Sequence, residues 1–123
     1  MHLAIDLGWI LEVARHAGQD DPAPEDFGVP LSAVDRHKAQ LFDQDVYHGT
    51  LARAAALAHT LGRLRWLERS NMTVAVAVTV AYLQAAGRTV KPGREEIGAL
   101  VDELRREDCT VRSVVTVLRS WPS

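Results

Sequence analysis

Ser70-Asn71-Met72-Thr73-Val74-Ala75-Val76-Ala77-Val78-Thr79-Val80-Ala81-Tyr82-Leu83-Gln84-Ala85-Ala86-Gly87 is the stretch on which the fold class turns. Val74, Val76, Val78 and Val80 alternate with small residues, which by itself spells a β-strand. Length decides otherwise: 17 residues from Ser70 to Ala86 far exceed the usual strand of about 5–6. Ser70 is a good N-cap and Gly87 a good C′ residue, the asymmetry of a helix. A helix that is apolar on every side is buried, so the stretch is predicted as the central helix around which the others pack. Ala75, Ala77 and Ala81 allow close approach of those neighbours.

Outward from this helix, other periodic segments predict an all-α bundle of about six helices in a single domain. Leu3, Leu7, Ile10, Leu11 and Ala14 mark a first helix over about 3–17, stopped by Gly18. Gln19 to Pro30 holds three prolines and four acids and reads as a surface loop. A short helix from Ser32 to Gln40 follows, then LFDQDVYHG breaks the pattern before an alanine-rich helix over about 50–64. Beyond Pro92, Ile97, Leu100, Val101 and Leu104 give a helix over about 94–106. Thr110 is positioned to cap a last one, with Val111, Val114, Val115 and Leu118 inward.

The chain has 123 residues, a net charge of −2 and one cysteine. That balance argues against a nucleic-acid binder, and a lone cysteine excludes a disulfide framework. The longest apolar stretch, Met72 to Leu83, has 12 residues with Thr73 and Thr79 inside it, short of the ~18 a membrane span needs. The start carries no basic n-region, so the expectation is a soluble, cytoplasmic protein without a signal peptide. Charge is uneven: Asp20 to Asp45 has seven acids against two bases, and Leu51 to Thr73 has four arginines against Glu68. These read either as two solvated faces or as an anion-attracting patch beside the start of the apolar helix.

Three sub-patterns carry a family resemblance: Gly28-x-x-Leu31-Ser32-Ala33-x-x-Arg36 followed by Phe42; Ala54 to Arg63; and Val76 to Gly87. In order and spacing they resemble the Fic/Doc family, nearest its short Doc ("death on curing") toxins. The family's signature, HxFx[D/E]GNxR, lies between the last two patterns. The resemblance implies that the histidine acts as general base and that the acid holds Mg²⁺ on nucleotide phosphates. The Gly-Asn turn then opens a helix N-terminus to those phosphates, and the arginine neutralises them. Most members transfer AMP from ATP, and the Doc branch phosphorylates elongation factor Tu. A Phd-type antitoxin is the partner so implied.

In register the segment reads Arg65-Trp66-Leu67-Glu68-Arg69-Ser70-Asn71-Met72-Thr73. Arg65 replaces the base, Arg69 the metal-binding acid, Ser70 the glycine and Thr73 the arginine, and Asn71 alone is kept. A guanidinium stays protonated near neutral pH and repels Mg²⁺. The expectation is a catalytically degenerate Doc-like protein that acts by binding a protein partner or an anion. Arg63, Arg65, Arg69, Ser70, Asn71 and Thr73 form the candidate site, with ATP or another phosphate-bearing ligand held without Mg²⁺; alternatively the arginines are simply loop residues in solvent. Trp66 either plugs the former pocket or anchors a partner.

The alternative is an active enzyme. It would be a nucleotide-dependent phospho- or adenylyltransferase acting on a translation factor, or a pocket turned to small-molecule chemistry. Of the five histidines (His2, His16, His37, His48, His59), His59 is the candidate base, against the plainer reading of a histidine bonded to a nearby carbonyl. Arg53 and His59 also loosely match a pattern of HEPN ribonucleases, without the charge surplus that RNA binding favours. No zinc spacing is present. Asp43-Gln44-Asp45 reads as a turn rather than as metal ligands, and Cys109 as an inert thiol rather than a reactive one.

Overall fold

The computed structural model describes residues 3–123; His2, one of the five histidines, lies outside them. Six helices run in the order α1 (Leu7–Ala17), α2 (Gly28–His37), α3 (Gly49–Arg63), α4 (Asn71–Ala85), α5 (Arg94–Arg105) and α6 (Val111–Arg119). Between α2 and α3 lies one antiparallel hairpin, β1 (Gln40–Leu41) with β2 (Gln44–Asp45), in register Gln40 with Asp45 and Leu41 with Gln44. The described residues form an all-α bundle with this single hairpin. No described helix is long and apolar enough to cross a membrane.

The valine-rich stretch is helical, as its length requires. Thr79 sits fully inside it and donates its hydroxyl to the Ala75 carbonyl (2.7 Å), which satisfies a group that would otherwise be costly to bury. At its end Gly87 adopts φ +90°, its N–H donates to Gln84 and the Arg88 N–H to Leu83, a Schellman closure that a side chain would strain. The start differs from expectation. Ser70 occupies the cap position with φ +65°, but its side chain does not cap α4; its Oγ accepts from the Gln19 N–H at 3.1 Å instead.

The centre is shared by two helices. α3 packs against α2, α4, α5 and α6, and α4 against α1, α3 and α5. Ala54, Ala55 and Ala58 of α3 and Ala75 of α4 are fully buried, so small side chains let the two backbones approach. One stripe of α4, around Ala77, Val80 and Ala81, is only half-buried, so neighbours do not enclose the apolar helix on every side.

Three boundaries shift for identifiable reasons. α1 begins at Leu7, not Leu3, because Asp6 is its cap and accepts from the Trp9 N–H (2.9 Å). Residues 3–5 are instead held by buried polar groups. The Tyr82 hydroxyl and Arg53 both donate to the Leu3 carbonyl (2.7 and 3.1 Å), and the Ile5 N–H donates to His37 Nε2 (3.1 Å). α2 begins at Gly28 within the expected loop and ends at His37, short of Gln40. The segment that breaks the pattern is the hairpin, whose two turn residues Phe42 and Asp43 both have positive φ (51° and 62°), as a tight two-residue hairpin turn requires. Thr110 caps α6 as expected, its Oγ1 accepting from the Ser113 N–H, and Ser113 Oγ accepts in turn from the Thr110 N–H.

Candidate functional site

The α3–α4 connection, residues 64–70, carries Arg65, Trp66, Arg69 and Ser70, with Arg63, Asn71 and Thr73 in the helices on either side, and the structure closes it with the chain's own contacts. The loop between α1 and α2 lies across it. The Glu68 N–H donates to the Ala23 carbonyl (3.0 Å) and the Glu25 N–H to the Trp66 carbonyl (2.6 Å), with an antiparallel bridge between Pro24 and Leu67. Glu68 Oε1 accepts from the Ala23 N–H, and Arg69 donates to the Gln19 and Asp20 carbonyls (2.9 and 3.3 Å). The segment expected to be a surface loop is therefore a strap tied to the candidate site.

Asn71 is committed at both ends of its amide. Its Oδ1 accepts from the Trp66 and Leu67 N–H groups (3.0 Å each), and its Nδ2 donates to the Leu67 carbonyl (2.9 Å). Asn71 thus splints the loop onto the start of α4. Ser70 serves the strap through Gln19. Thr73 is exposed on the first turn of α4 and faces a groove between α4 and α5.

The three arginines do not converge. Arg63 donates to the carbonyls of Leu104, Arg106 and Glu107, closing the C-terminal end of α5. It is a capping residue there, so its place in a shared anion site is corrected. Arg65 is exposed, pairs with Glu25 (3.3 Å) and donates to the Glu68 carbonyl (3.2 Å). Arg69 pairs with Glu68 (2.9 Å). Exposed pairs of this kind contribute about 0–1 kcal/mol each, so a strongly anionic ligand can compete with Glu25 and Glu68 for them.

Trp66 is 0% exposed, which corrects the partner-anchor reading: the ring is core, packed under the loop it belongs to. Its indole N–H is buried with no hydrogen-bond partner among the described residues. Burying such a group costs about 1–3 kcal/mol, outweighed here by the large apolar ring area removed from water.

His59 is also spoken for. Its Nε2–H donates to the Cys109 carbonyl (3.1 Å), which leaves Nδ1 to accept from Arg36 Nη1 (2.9 Å). Burial, then the nearby Arg36 and Arg63, outweigh the Cys109 carbonyl and push its pKa below the ordinary histidine value. A histidine with both nitrogens engaged in the fold is not placed to take a substrate proton. The carbonyl-bonded reading is the one observed.

Asp45 forms a largely buried ion pair with Arg53 (3.2 Å). No group of three or more His, Cys, Asp or Glu side chains among the described residues could hold a metal ion. Cys109 is buried, and burial raises its thiol pKa, so the thiol is the unreactive form near neutral pH.

Residues that the sequence reading missed are Gln19, Ala23 and Glu25, the strap's contacts with the loop. A signal existed: the acid-rich segment from Asp20 to Asp45 and the arginine-rich one from Leu51 to Thr73 have opposite charge, and they meet at Glu25–Arg65 as well as at Asp45–Arg53. His37 was also missed as a structural group; it is 1% exposed and sits edge-on to the Tyr82 ring. Compared with known proteins, no family model, no curated protein and no solved structure matches this chain.

Proposed function

We propose that this chain is a catalytically degenerate Doc-like protein that works by binding and not by phosphoryl or nucleotidyl transfer. The observation that carries the reading is Arg65, an exposed guanidinium paired with Glu25 at the position where the Fic/Doc signature places its proton acceptor. Arg69, at the position of the metal-binding acid, adds a second permanent positive charge 2.9 Å from Glu68. Neither can take a proton or hold Mg²⁺. His59, the remaining candidate base, is bonded on both ring nitrogens.

What such a protein binds follows from the same residues. Arg65 and Arg69 attract an anion once it displaces Glu25 and Glu68, with no metal needed to neutralise the phosphates. A Phd-type antitoxin or another protein is the partner that the family resemblance supplies. Two measurements test the reading. Labelled ATP with purified elongation factor Tu should leave no label on the factor, and robust labelling would sink the proposal. Calorimetric titration with ATP should give the same affinity with Mg²⁺ and with a chelator; a strict Mg²⁺ requirement would show that the arginines do not replace the metal.

A further inference from the structure

The stripe of α4 that its neighbours leave open is the wall of a groove of about 670 Å³ between α4 and α5. Val76, Ala77, Val80 and Ala81 form one side, and Ile97 and Val101 the other. The lining holds no acid and a single cation, Arg105, whose guanidinium has no hydrogen-bond or ion-pair partner among the described residues. Leu104, next to Arg105 in sequence, and Ala75, in the first turns of α4, both lie against Gly62 of α3, so Arg105 and Thr73 stand at the same end of the groove. That end is also the start of α4, whose positive dipole end Ser70 leaves without a side-chain cap.

From this geometry we infer that the groove binds a small amphiphilic organic anion, its acid group on Arg105 and its apolar body along Val76, Val80, Ile97 and Val101. Charge and size select this occupant. A cation at one end of an apolar trough matches a carboxylate or phosphate head on a chain. The stretch from Thr73 to Gln84 spans roughly 16 Å of helix at ~1.5 Å per residue, enough for a chain of about ten carbons. The volume lies within the ~300–1,000 Å³ of small-molecule sites, whereas a stable protein interface uses about 20–30 residues a side and this groove offers ten. The inference rests on the reading that the chain works by binding, but not on the loop arginines.

The test is calorimetry with decanoate, decyl phosphate, decan-1-ol and decyltrimethylammonium, all below their aggregation concentrations, on the full chain and on Arg105→Gln and Ala77→Phe. Decanoate and decyl phosphate should bind saturably and about tenfold tighter than decan-1-ol. Arg105→Gln should remove that preference, and Ala77→Phe, which fills the trough, should abolish binding of all three with the thermal melt unchanged. Comparing the two anions distinguishes a carboxylate from a phosphate head. Equal binding of decyltrimethylammonium, no saturable binding at all, or binding indifferent to Ala77→Phe would each overturn the proposal. A stable dimer by sedimentation velocity that Ala77→Phe dissociates would overturn it too, by giving the groove to a second copy. Transfer of label from ATP would end the binding reading of the loop and leave these titrations standing.

Discussion

Asn71 spends its side chain on its own loop: its amide makes three hydrogen bonds that hold Trp66 and Leu67 over the core. Asn71→Ala should therefore cost stability, about 2–3 kcal/mol at roughly 1 kcal/mol per lost bond, read as a lower urea midpoint with unchanged slope. His37 and His59 supply a pH dependence. His37 accepts from the Ile5 N–H at Nε2 and donates at Nδ1 to Val34, and burial is the main cause that lowers its pKa. Both histidines are held neutral in the folded state, so the unfolded chain binds protons first as pH falls. Their contribution is complete above the ordinary histidine value of about 6.5 and is lost progressively below it. Stability should fall between pH 7 and pH 5, and His37→Gln with His59→Gln should flatten that slope in chemical denaturation.

At the scale of elements, caps and strap do different work. Gly87 ends α4 with φ +90°, and a methyl group there would meet nothing within 4 Å. The cost of Gly87→Ala is then backbone strain alone, about 1 kcal/mol, visible as a melting temperature lower by a few degrees. The strap across residues 66–69 is tied by main-chain bonds, with Glu25 and Glu68 adding charge. Glu25→Gln with Glu68→Gln should leave stability within about 1 kcal/mol, because exposed ion pairs contribute little. It should also remove the carboxylates paired with Arg65 and Arg69, leaving only their bonds to main-chain carbonyls, and phosphate or ATP titrations should then show several-fold tighter binding than for the parent chain. No gain would mean that these arginines are loop residues and not an anion site.

For the whole molecule, the packing of α3 against α4 places the loop, and the α1–α2 strap closes it. Writing a Fic/Doc-type signature into the loop by Arg65→His, Arg69→Asp, Ser70→Gly and Thr73→Arg should therefore yield no transfer of label from ATP to elongation factor Tu. The strap's main-chain bonds to Trp66 and Glu68 do not depend on those four side chains. Robust activity in that variant would show that the strap leaves the cleft open and that only four side chains separate this chain from an active transferase.

The helices were legible in one dimension because their causes are local. Periodic Ile97, Leu100, Val101 and Leu104, the cap at Thr110, the stop at Gly87 and the sheer length of the valine run each act within a few residues. The identities of Arg65 and Arg69 likewise set which chemistry a side chain there can perform, wherever it points. Direction was a different matter. That Arg63 turns to α5, that His59 meets Cys109 and that Glu25 reaches Arg65 all depend on segments 40 or more residues apart. Such pairings form only when the packed backbone brings their partners within hydrogen-bonding reach, and no periodicity encodes them. The open stripe on α4 belongs with them: an apolar residue is equally apolar whether a neighbour covers it or not, and only the placement of α5 leaves that groove exposed.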